Sequence, residues 1–182
     1  MNKFIILGIS IFVLLIIFLI IIVIISKNKI KDAMIPLDIA KERINDYLRK
    51  KYKLYKEITK FIKDNLSIKE DAFNNFLSFN AKECSQEELL NLLDKTTDEI
   101  NEYVDNYDEL LKNQDFLKLK KELYDLEINL ESTSEYYNNK ITIYNSLKDS
   151  APTSICTKFF EFEDYQKVEF DKKEIARLIN LN

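Results

Sequence analysis

The sequence contains no histidine and no tryptophan, and only one glycine and two prolines among its 182 residues. The glycine, Gly8, lies in an apolar N-terminal run, so the rest of the chain has none. Tight β-hairpin turns, phosphate-binding loops and nucleophile elbows all depend on glycine. Helices do not, because glycine weakens a helix interior. The composition therefore predicts an all-α protein.

The lack of histidine removes the commonest general base and metal ligand. It also excludes the Glu-x-x-His pairs with which helical bundles hold two iron ions. Carboxylates are plentiful, but they stand beside lysines, as in Asp94–Lys95 and Lys121–Glu122, which is typical of solvated helix faces. We therefore expect no catalytic residue, no cofactor, no metal site and no small-molecule substrate. An enzyme with an all-carboxylate site is the least favoured alternative.

The two cysteines, Cys84 and Cys156, are too far apart in the sequence to form a metal-binding motif. In a cytoplasmic domain we expect both to be reduced and to pack as small apolar side chains. A disulfide between them becomes conceivable only if the domain faces outward.

The residues Phe4–Ile25 form an uncharged apolar run of 22 residues. At about 1.5 Å per residue, a helix of this length covers roughly 33 Å, enough for a hydrocarbon core of ~30 Å. The run is longer than the apolar part of a typical signal peptide, and no small-residue cleavage site follows it. The sequence therefore predicts a single-pass membrane anchor over residues 1–32, followed by a soluble domain over residues 33–182.

The orientation of the anchor is predicted from its flanking charges. Lys3 precedes the run, whereas Lys27, Lys29 and Lys31 follow it directly. The positive-inside bias then places the N-terminus outside and the soluble domain in the cytoplasm, at the cell membrane.

Charge is unevenly distributed, although the whole chain carries only −4. The segment 26–64 has twelve Lys/Arg against six Asp/Glu, and residues 65–182 have fourteen against twenty-five. The acidic body repels phosphate, so nucleic acid is not an expected partner. The basic segment beside the anchor is suited to anionic lipid headgroups.

Helical periodicity predicts an antiparallel bundle of about four helices after the anchor. Pro36 suits the first turn of the first of these, although the sequence leaves open whether the anchor continues into it unbroken. Its apolar positions are Leu37, Ala40, Ile44, Leu48, Tyr55, Ile58 and Ile62. Capping boxes at Ser67–Glu70 and Ser85–Glu88 predict the next two helix starts, and Asn113 is predicted to cap the long helix that follows.

The long helix carries apolar or small residues every three or four positions from Phe116 to Tyr144 and is predicted to stop before Pro152. The alternative to core packing is that this stripe forms a coiled-coil interface between two copies of the chain. The mixture of Phe, Leu, Thr and Tyr at its inward positions favours a globular bundle instead. The segment 153–170 is predicted to be irregular, with its aromatic rings filling grooves of the bundle. A short helix capped by Asp171 should then carry Ile175, Leu178 and Ile179.

Tyrosine is frequent, and Tyr136, Tyr137 and Tyr144 lie in one region of the long helix. They could form an aromatic binding surface or belong to a core in which their hydroxyls hold buried hydrogen bonds. The second interpretation is favoured because several tyrosines fall on the apolar stripe.

Several segments resemble the LemA family. The run from Tyr107 to Phe116 (YDELLKNQDF) is similar to that family's E-x-YP-x-LKAN-x-x-F segment. In register with it follow Leu119–Leu123, Glu127, Tyr137-Asn138, Tyr144-Asn145 and Pro152, which match the family's LQ-x-EL, E-x-x-I, repeated YN and FP motifs. The resemblance covers roughly residues 40–170.

The chain departs from the family pattern at four places: Lys41 replaces a tryptophan, Asp108 replaces the proline of YP, the proline step after Leu54 is missing, and so is the glycine near the family's C-terminal aromatic tail. The resemblance implies an N-terminal membrane helix followed by an antiparallel bundle, with no known catalytic residues and no agreed activity. Some relatives are associated with specialised bacterial membranes.

The anchor, the bundle and the lack of catalytic groups favour a protein-interaction or scaffolding module at the bacterial cell membrane, which binds a protein through its acidic face. The alternative is a membrane-surface organiser that acts through anionic lipid binding and self-assembly. The bilayer itself is the predicted partner of Phe4–Ile25.

Overall fold

The computed structural model describes residues 2–81 and 84–169, and within them the protein is helical, without a β-strand. The elements are α1 (Asn2–Asn65), α2 (Asn74–Leu77), α3 (Gln86–Asn106), a 3₁₀ turn (Leu110–Lys112), α4 (Gln114–Asp149) and α5 (Thr153–Cys156). The predicted all-α class is confirmed. The predicted helix capped by Asp171 lies outside the described residues, as does Phe170.

The N-terminal helix α1 is a continuous helix of 64 residues with Pro36 in its interior. The prediction that a helix starts at Pro36 is therefore wrong. A proline inside a helix removes one backbone hydrogen bond and costs about 3 kcal/mol. Ile30 and Leu37 are both fully buried on either side of it, so packing holds the helix on both sides of the missing bond. The predicted domain boundary after residue 32 falls within α1 and stays a prediction.

The first part of α1 exposes its apolar side chains on every face. From Phe4 to Ile21 every residue is exposed, and the most apolar window of the helix has no buried residue. Within the described residues, α1 is the one helix long and apolar enough to cross a membrane.

Two predicted helix starts are confirmed by their caps. The Ser85 hydroxyl accepts a hydrogen bond from the Glu88 N–H, and the Glu88 carboxylate accepts one from the Ser85 N–H, which completes a capping box at α3. Before α4, the Asn113 side-chain oxygen accepts hydrogen bonds from the backbone N–H groups of Asp115 and Phe116. The helix α4 ends at Asp149, before Pro152, as predicted.

The predicted capping box at Ser67–Glu70 is wrong, because no helix begins there. The chain turns instead, and α2 begins at Asn74, after Phe73 adopts a left-handed conformation with φ 59°. Phe73 is 2% exposed, its ring lies 5.2 Å from that of Tyr103, and its N–H donates to Glu99 Oε1. Burial of this ring decides the backbone conformation, which the local capping pattern could not predict.

The described residues form two compact units. One combines residues 2–40 with 136–168, and the other contains residues 41–81 and 84–135 together with Glu169. We call them the membrane-proximal unit and the distal unit, after their positions in the sequence relative to the apolar run.

In the distal unit, α1 and α4 run antiparallel. Lys51 pairs with Glu127, and ten residues further along α1 the Phe61 ring lies 5.7 Å from that of Phe116. The core comes from the predicted apolar stripes of α1, α3 and α4. Its fully or almost fully buried residues include Ile44, Leu48, Tyr55, Ile58, Ile62, Phe76, Leu93 and Leu130. Each such side chain contributes roughly 1.5–3 kcal/mol on burial.

In the membrane-proximal unit, the buried residues come from α1, α4 and the C-terminal segment: Ile30, Leu37, Ala40, Tyr137, Ile141, Tyr144, Cys156 and Tyr165. The segment 153–170 was predicted to be irregular, but it begins with α5 and one further turn, and among the described residues it is irregular only from Glu161 to Glu169. Only Tyr165 among its described rings is buried. Phe160 and Phe162 are half-buried, and Phe159 is 73% exposed. The prediction that these rings fill grooves is therefore wrong for Phe159, because most of its ring is exposed.

Candidate interaction surfaces and the residues that hold them

Asn138 on α4 holds the C-terminal segment by its backbone. The Asn138 Nδ2 donates to the Val168 carbonyl at 2.7 Å, and the Val168 N–H donates to Asn138 Oδ1 at 2.9 Å. A carboxamide can make this pair because it has a donor and an acceptor side by side, like a peptide group. One side chain therefore satisfies both backbone groups of a residue that has no secondary structure of its own.

Two tyrosines extend this attachment towards α1. Tyr144 donates to the Glu163 carbonyl at 2.8 Å, and its ring meets that of Tyr165 edge to face at 5.3 Å. Tyr165 in turn donates to Asp38 Oδ1 on α1 at 2.7 Å. The C-terminal segment is thus hydrogen-bonded to α4 and to α1.

The tyrosine hydroxyls in this cluster act as donors rather than as bases. Burial, followed by the nearby charges of Asp164, Glu163 and Asp38, raises the pKa of Tyr144 to about 12. Burial and the hydrogen bond to Asp38 likewise raise the pKa of Tyr165. Both phenols are neutral near pH 7, so neither supplies a nucleophile or a proton acceptor.

The predicted core role of the tyrosines is confirmed for Tyr137 and Tyr144, which are at most 3% exposed. It is wrong for Tyr136, which is 49% exposed because it lies about 100° around the helix from Tyr137. Lys148 adds an ion pair with Asp164 at 2.6 Å, and this hydrogen bond lowers the pKa of the Asp164 carboxyl.

The distal unit buries an ion pair. Lys51 Nζ lies 2.7 Å from Glu127 Oε1, and the two side chains are 4% and 6% exposed. Lys51 Nζ also lies 5.3 Å from the ring centroid of Tyr55, whose hydroxyl is 2.6 Å from Thr97 Oγ1. Thr97 itself donates to the Leu93 carbonyl, so Tyr55 is the donor in that contact. Charges buried to this degree are paired to each other and inaccessible to a substrate from solvent.

The outer face of α3 is strongly acidic. The helix contains seven Asp/Glu and one lysine. We call the four exposed carboxylates on one side of it the acidic stripe: Asp94, Asp98, Glu102 and Asp105. Their spacing of four, four and three residues aligns them along the helix. The opposite side of α3 buries Leu89, Leu93, Ile100 and Val104.

The outer face of α1 in the same unit has the opposite sign. Residues 41–65 contain nine Lys/Arg and four Asp/Glu. The exposed cations are Lys41, Arg43, Arg49, Lys50, Lys53, Lys56 and Lys60. Within the distal unit, the predicted basic and acidic segments therefore include two separate helix faces, one on α1 and one on α3.

Both cysteines are free thiols. Cys84 is half-buried, whereas Cys156 is fully buried and donates from Sγ to the Val23 carbonyl at 3.2 Å. Among the described residues, no group of three or more His, Cys, Asp or Glu side chains is arranged to hold a metal ion.

A family model described as the LemA family matches residues 40–180. The chain belongs to the LemA family. Among curated proteins and among solved structures, the comparisons find no match. The predicted resemblance is confirmed, and the matched range extends ten residues beyond the predicted one.

The LemA family is not a known enzyme family. Several residues that match its sequence pattern make the buried contacts described above. Both tyrosines of the repeated Tyr-Asn motif are buried, and its first asparagine, Asn138, binds Val168. Glu127 of the same pattern is the buried partner of Lys51. The sequence places Asn138 and Glu127 in the family pattern without predicting a role for either, and it gives no signal for Asp38. A polar residue directly beside buried tyrosines was the available signal for Asn138.

Proposed function

We propose that this LemA-family protein is a membrane-anchored interaction module, which binds another protein through the acidic stripe on α3. The observation that carries the proposal is the alignment of Asp94, Asp98, Glu102 and Asp105 on an exposed helix face whose opposite side packs into the core. The scaffold fixes these carboxylates on a regular helix rather than on a loop, which gives a partner a defined pattern to match.

The chemistry of the stripe indicates the class of partner. Four carboxylates about one helical turn apart favour a protein segment with lysines or arginines at matching spacing. Arginine is the better complement, because its planar guanidinium binds a carboxylate through two parallel hydrogen bonds. Such an interface loses affinity as salt increases, because exposed charges are screened within about 8 Å at physiological ionic strength.

The anchor is the second part of the proposal. The apolar residues Phe4–Ile25 span the cell membrane, and Lys27, Lys29 and Lys31 remain on the cytoplasmic side. The described domain is then cytoplasmic, and its partner is a cytosolic or inner-leaflet protein.

The binding proposal is tested by site-specific crosslinking in native membranes. A photoreactive residue replaces Asn101, which lies among the stripe residues, and a second variant carries it at the exposed Asn139. We expect a discrete protein adduct from position 101 and none of the same size from position 139. The variant D94N/D98N/E102Q/D105N should lose the adduct.

The matched control, D46N/E57Q/E122Q/D125N, removes the same number of exposed carboxylates from α1 and α4. It should keep the adduct, and higher salt should weaken it. Loss of the adduct in both variants, or its absence from the wild type, contradicts binding by the stripe.

Orientation is tested on whole cells. A cysteine appended after Asn182 in a C84A/C156A background should react with a membrane-impermeant maleimide only after lysis. Reaction in intact cells would place the domain outside and move the partner to the cell envelope.

A second candidate function is organisation of anionic lipid, together with self-assembly. The supporting observation is that Lys29 and Lys31 are exposed within about 9 Å of Ile25 along the helix. Reconstituted full-length protein should then enrich anionic lipid in its surroundings, and K29Q/K31Q should abolish the enrichment. Equal lipid composition around both proteins counts against this function.

A further inference from the structure

The short segment around α5 is fixed against α1 at the end of the apolar run. Cys156 Sγ donates to the carbonyl of Val23 at 3.2 Å. Four residues later, the Phe160 ring lies under Lys27, with Nζ 4.0 Å from its centroid. Val23 is two residues before the end of the apolar run at Ile25, which is about 3 Å along a helix.

The helical conformation continues past α5 for one more turn. The N–H groups of Phe159 and Phe160 both donate to the Cys156 carbonyl, at 3.0 and 2.9 Å. Cys156 and Phe160, four residues apart, therefore face α1 together. Ile155 and Phe159, also four residues apart, form a separate face beside them.

This second face is apolar and uncovered. Ile155 is 45% exposed and Phe159 is 73% exposed, the highest exposure of any described apolar side chain after Phe4. The exposed Lys158 lies next to Phe159 in the sequence. Lys27 lies on the other side, at Phe160. Apolar rings flanked by lysines, at the level where a spanning helix leaves the hydrocarbon, have the chemistry of an interfacial membrane contact.

We propose that Ile155 and Phe159 insert into the headgroup–acyl boundary of the leaflet from which α1 emerges, and so give the protein a second membrane contact. This inference rests on the proposed anchoring of Phe4–Ile25. A bilayer is favoured over a protein partner because Cys156 and Phe160, on the same turns, contact α1 at Val23 and Lys27, where the apolar run ends. Insertion at two points would restrict rotation of α1 about its axis, which a single helix cannot do.

The absence of tryptophan from the chain makes the test direct, because each introduced tryptophan is a unique fluorophore. Three full-length variants are reconstituted in liposomes: F159W at the proposed contact, F18W in the apolar run, and Y136W at an exposed aromatic site on α4. All three positions are exposed, so the substitutions leave the core packing intact. Emission and quenching by lipids brominated along the acyl chain are measured.

We expect F159W to be blue-shifted and quenched most by lipids brominated near the headgroup, since interfacial segments insert about 5–10 Å. F18W should be quenched most by lipids brominated near the chain end, and Y136W should not be quenched by either.

The outcomes separate the two proposals. An unquenched F18W overturns the anchor and this inference together. If F18W is quenched, but F159W is unquenched and emits like tryptophan in water, the anchor stands and the second contact alone is overturned. A blue-shifted F159W that no brominated lipid quenches shows burial against protein and overturns the assignment to lipid.

Discussion

Asn138 bonds both the N–H and the carbonyl of Val168, although thirty residues separate them in the sequence. A single carboxamide on α4 thereby fixes the backbone of an irregular segment. The consequences of this contact, and of the other polar contacts in the two units, can be measured individually.

Replacing Asn138 with alanine should destabilise the protein by about 1–3 kcal/mol, because two backbone groups of Val168 lose their partner. Chemical denaturation measures the change, and hydrogen exchange of the Val168 amide should accelerate. The neighbouring Asn139 is exposed, so N139A is the control and should change stability by no more than about 0.5 kcal/mol. Equal effects of the two substitutions would refute the role of Asn138.

The raised pKa of Tyr144, about 12 instead of 10.0, predicts a stability that depends on pH. A group whose pKa is raised in the folded state contributes its full stabilisation of the fold at pH values below its pKa in the unfolded state. This contribution is lost as the pH rises through the pKa of the folded state. Wild-type stability should therefore fall between pH 10 and about 12 more steeply than that of Y144F. Identical profiles of the two proteins in thermal melts would contradict the environment described for this phenol.

Breaking the buried pair of Lys51 and Glu127 should be costly. Either K51M or E127L leaves a buried charge without its partner and should destabilise by about 3–5 kcal/mol. The double variant should recover most of this loss, since it buries no charge. The exposed pair of Lys118 and Asp115 is the control, and K118A should cost less than about 1 kcal/mol. Additive effects of the two buried substitutions would show that the pair is not coupled.

The two serines that head capping-box patterns should behave differently. Ser85→Ala removes the cap of α3 and should cost about 1 kcal/mol. Ser67→Ala should have no measurable effect, because no helix begins after Ser67. Denaturation of both variants tests this directly, and a loss on substituting Ser67 would contradict the observed start of α2.

Much of the fold follows from patterns within a few residues. The cap at Asn113, the end of α4 before Pro152 and the box at Ser85 are local, because the groups that satisfy the backbone lie within one turn. The apolar stripes that form the core could be read from periodicity for the same reason.

The errors arise where distant groups decide the structure. Phe73 takes a left-handed conformation because its ring packs against Tyr103 and its N–H is bonded by Glu99, and neither contact can be read from the sequence near Ser67. The continuity of α1 through Pro36 depends on burial at Ile30 and Leu37. The acidic stripe on α3 and the basic face of α1 were predicted only as charged segments of the sequence. The alignment of Asp94 with Asp105 defines a surface only when the structure shows that α3 exposes that side.

The membrane-proximal unit is assembled from the two ends of the described chain, residues 2–40 and 136–168. During synthesis, about 95 residues must be added between these parts, which takes roughly 5–20 s at ordinary ribosomal rates. Throughout that interval, the side chains from residues 136–168 that bury Ile30 and Leu37 have not yet been synthesised. We therefore expect the anchor to be delivered to the membrane before its own unit can fold, and ribosome-bound chains stopped before residue 136 to remain protease-sensitive in the part of α1 between residues 26 and 40.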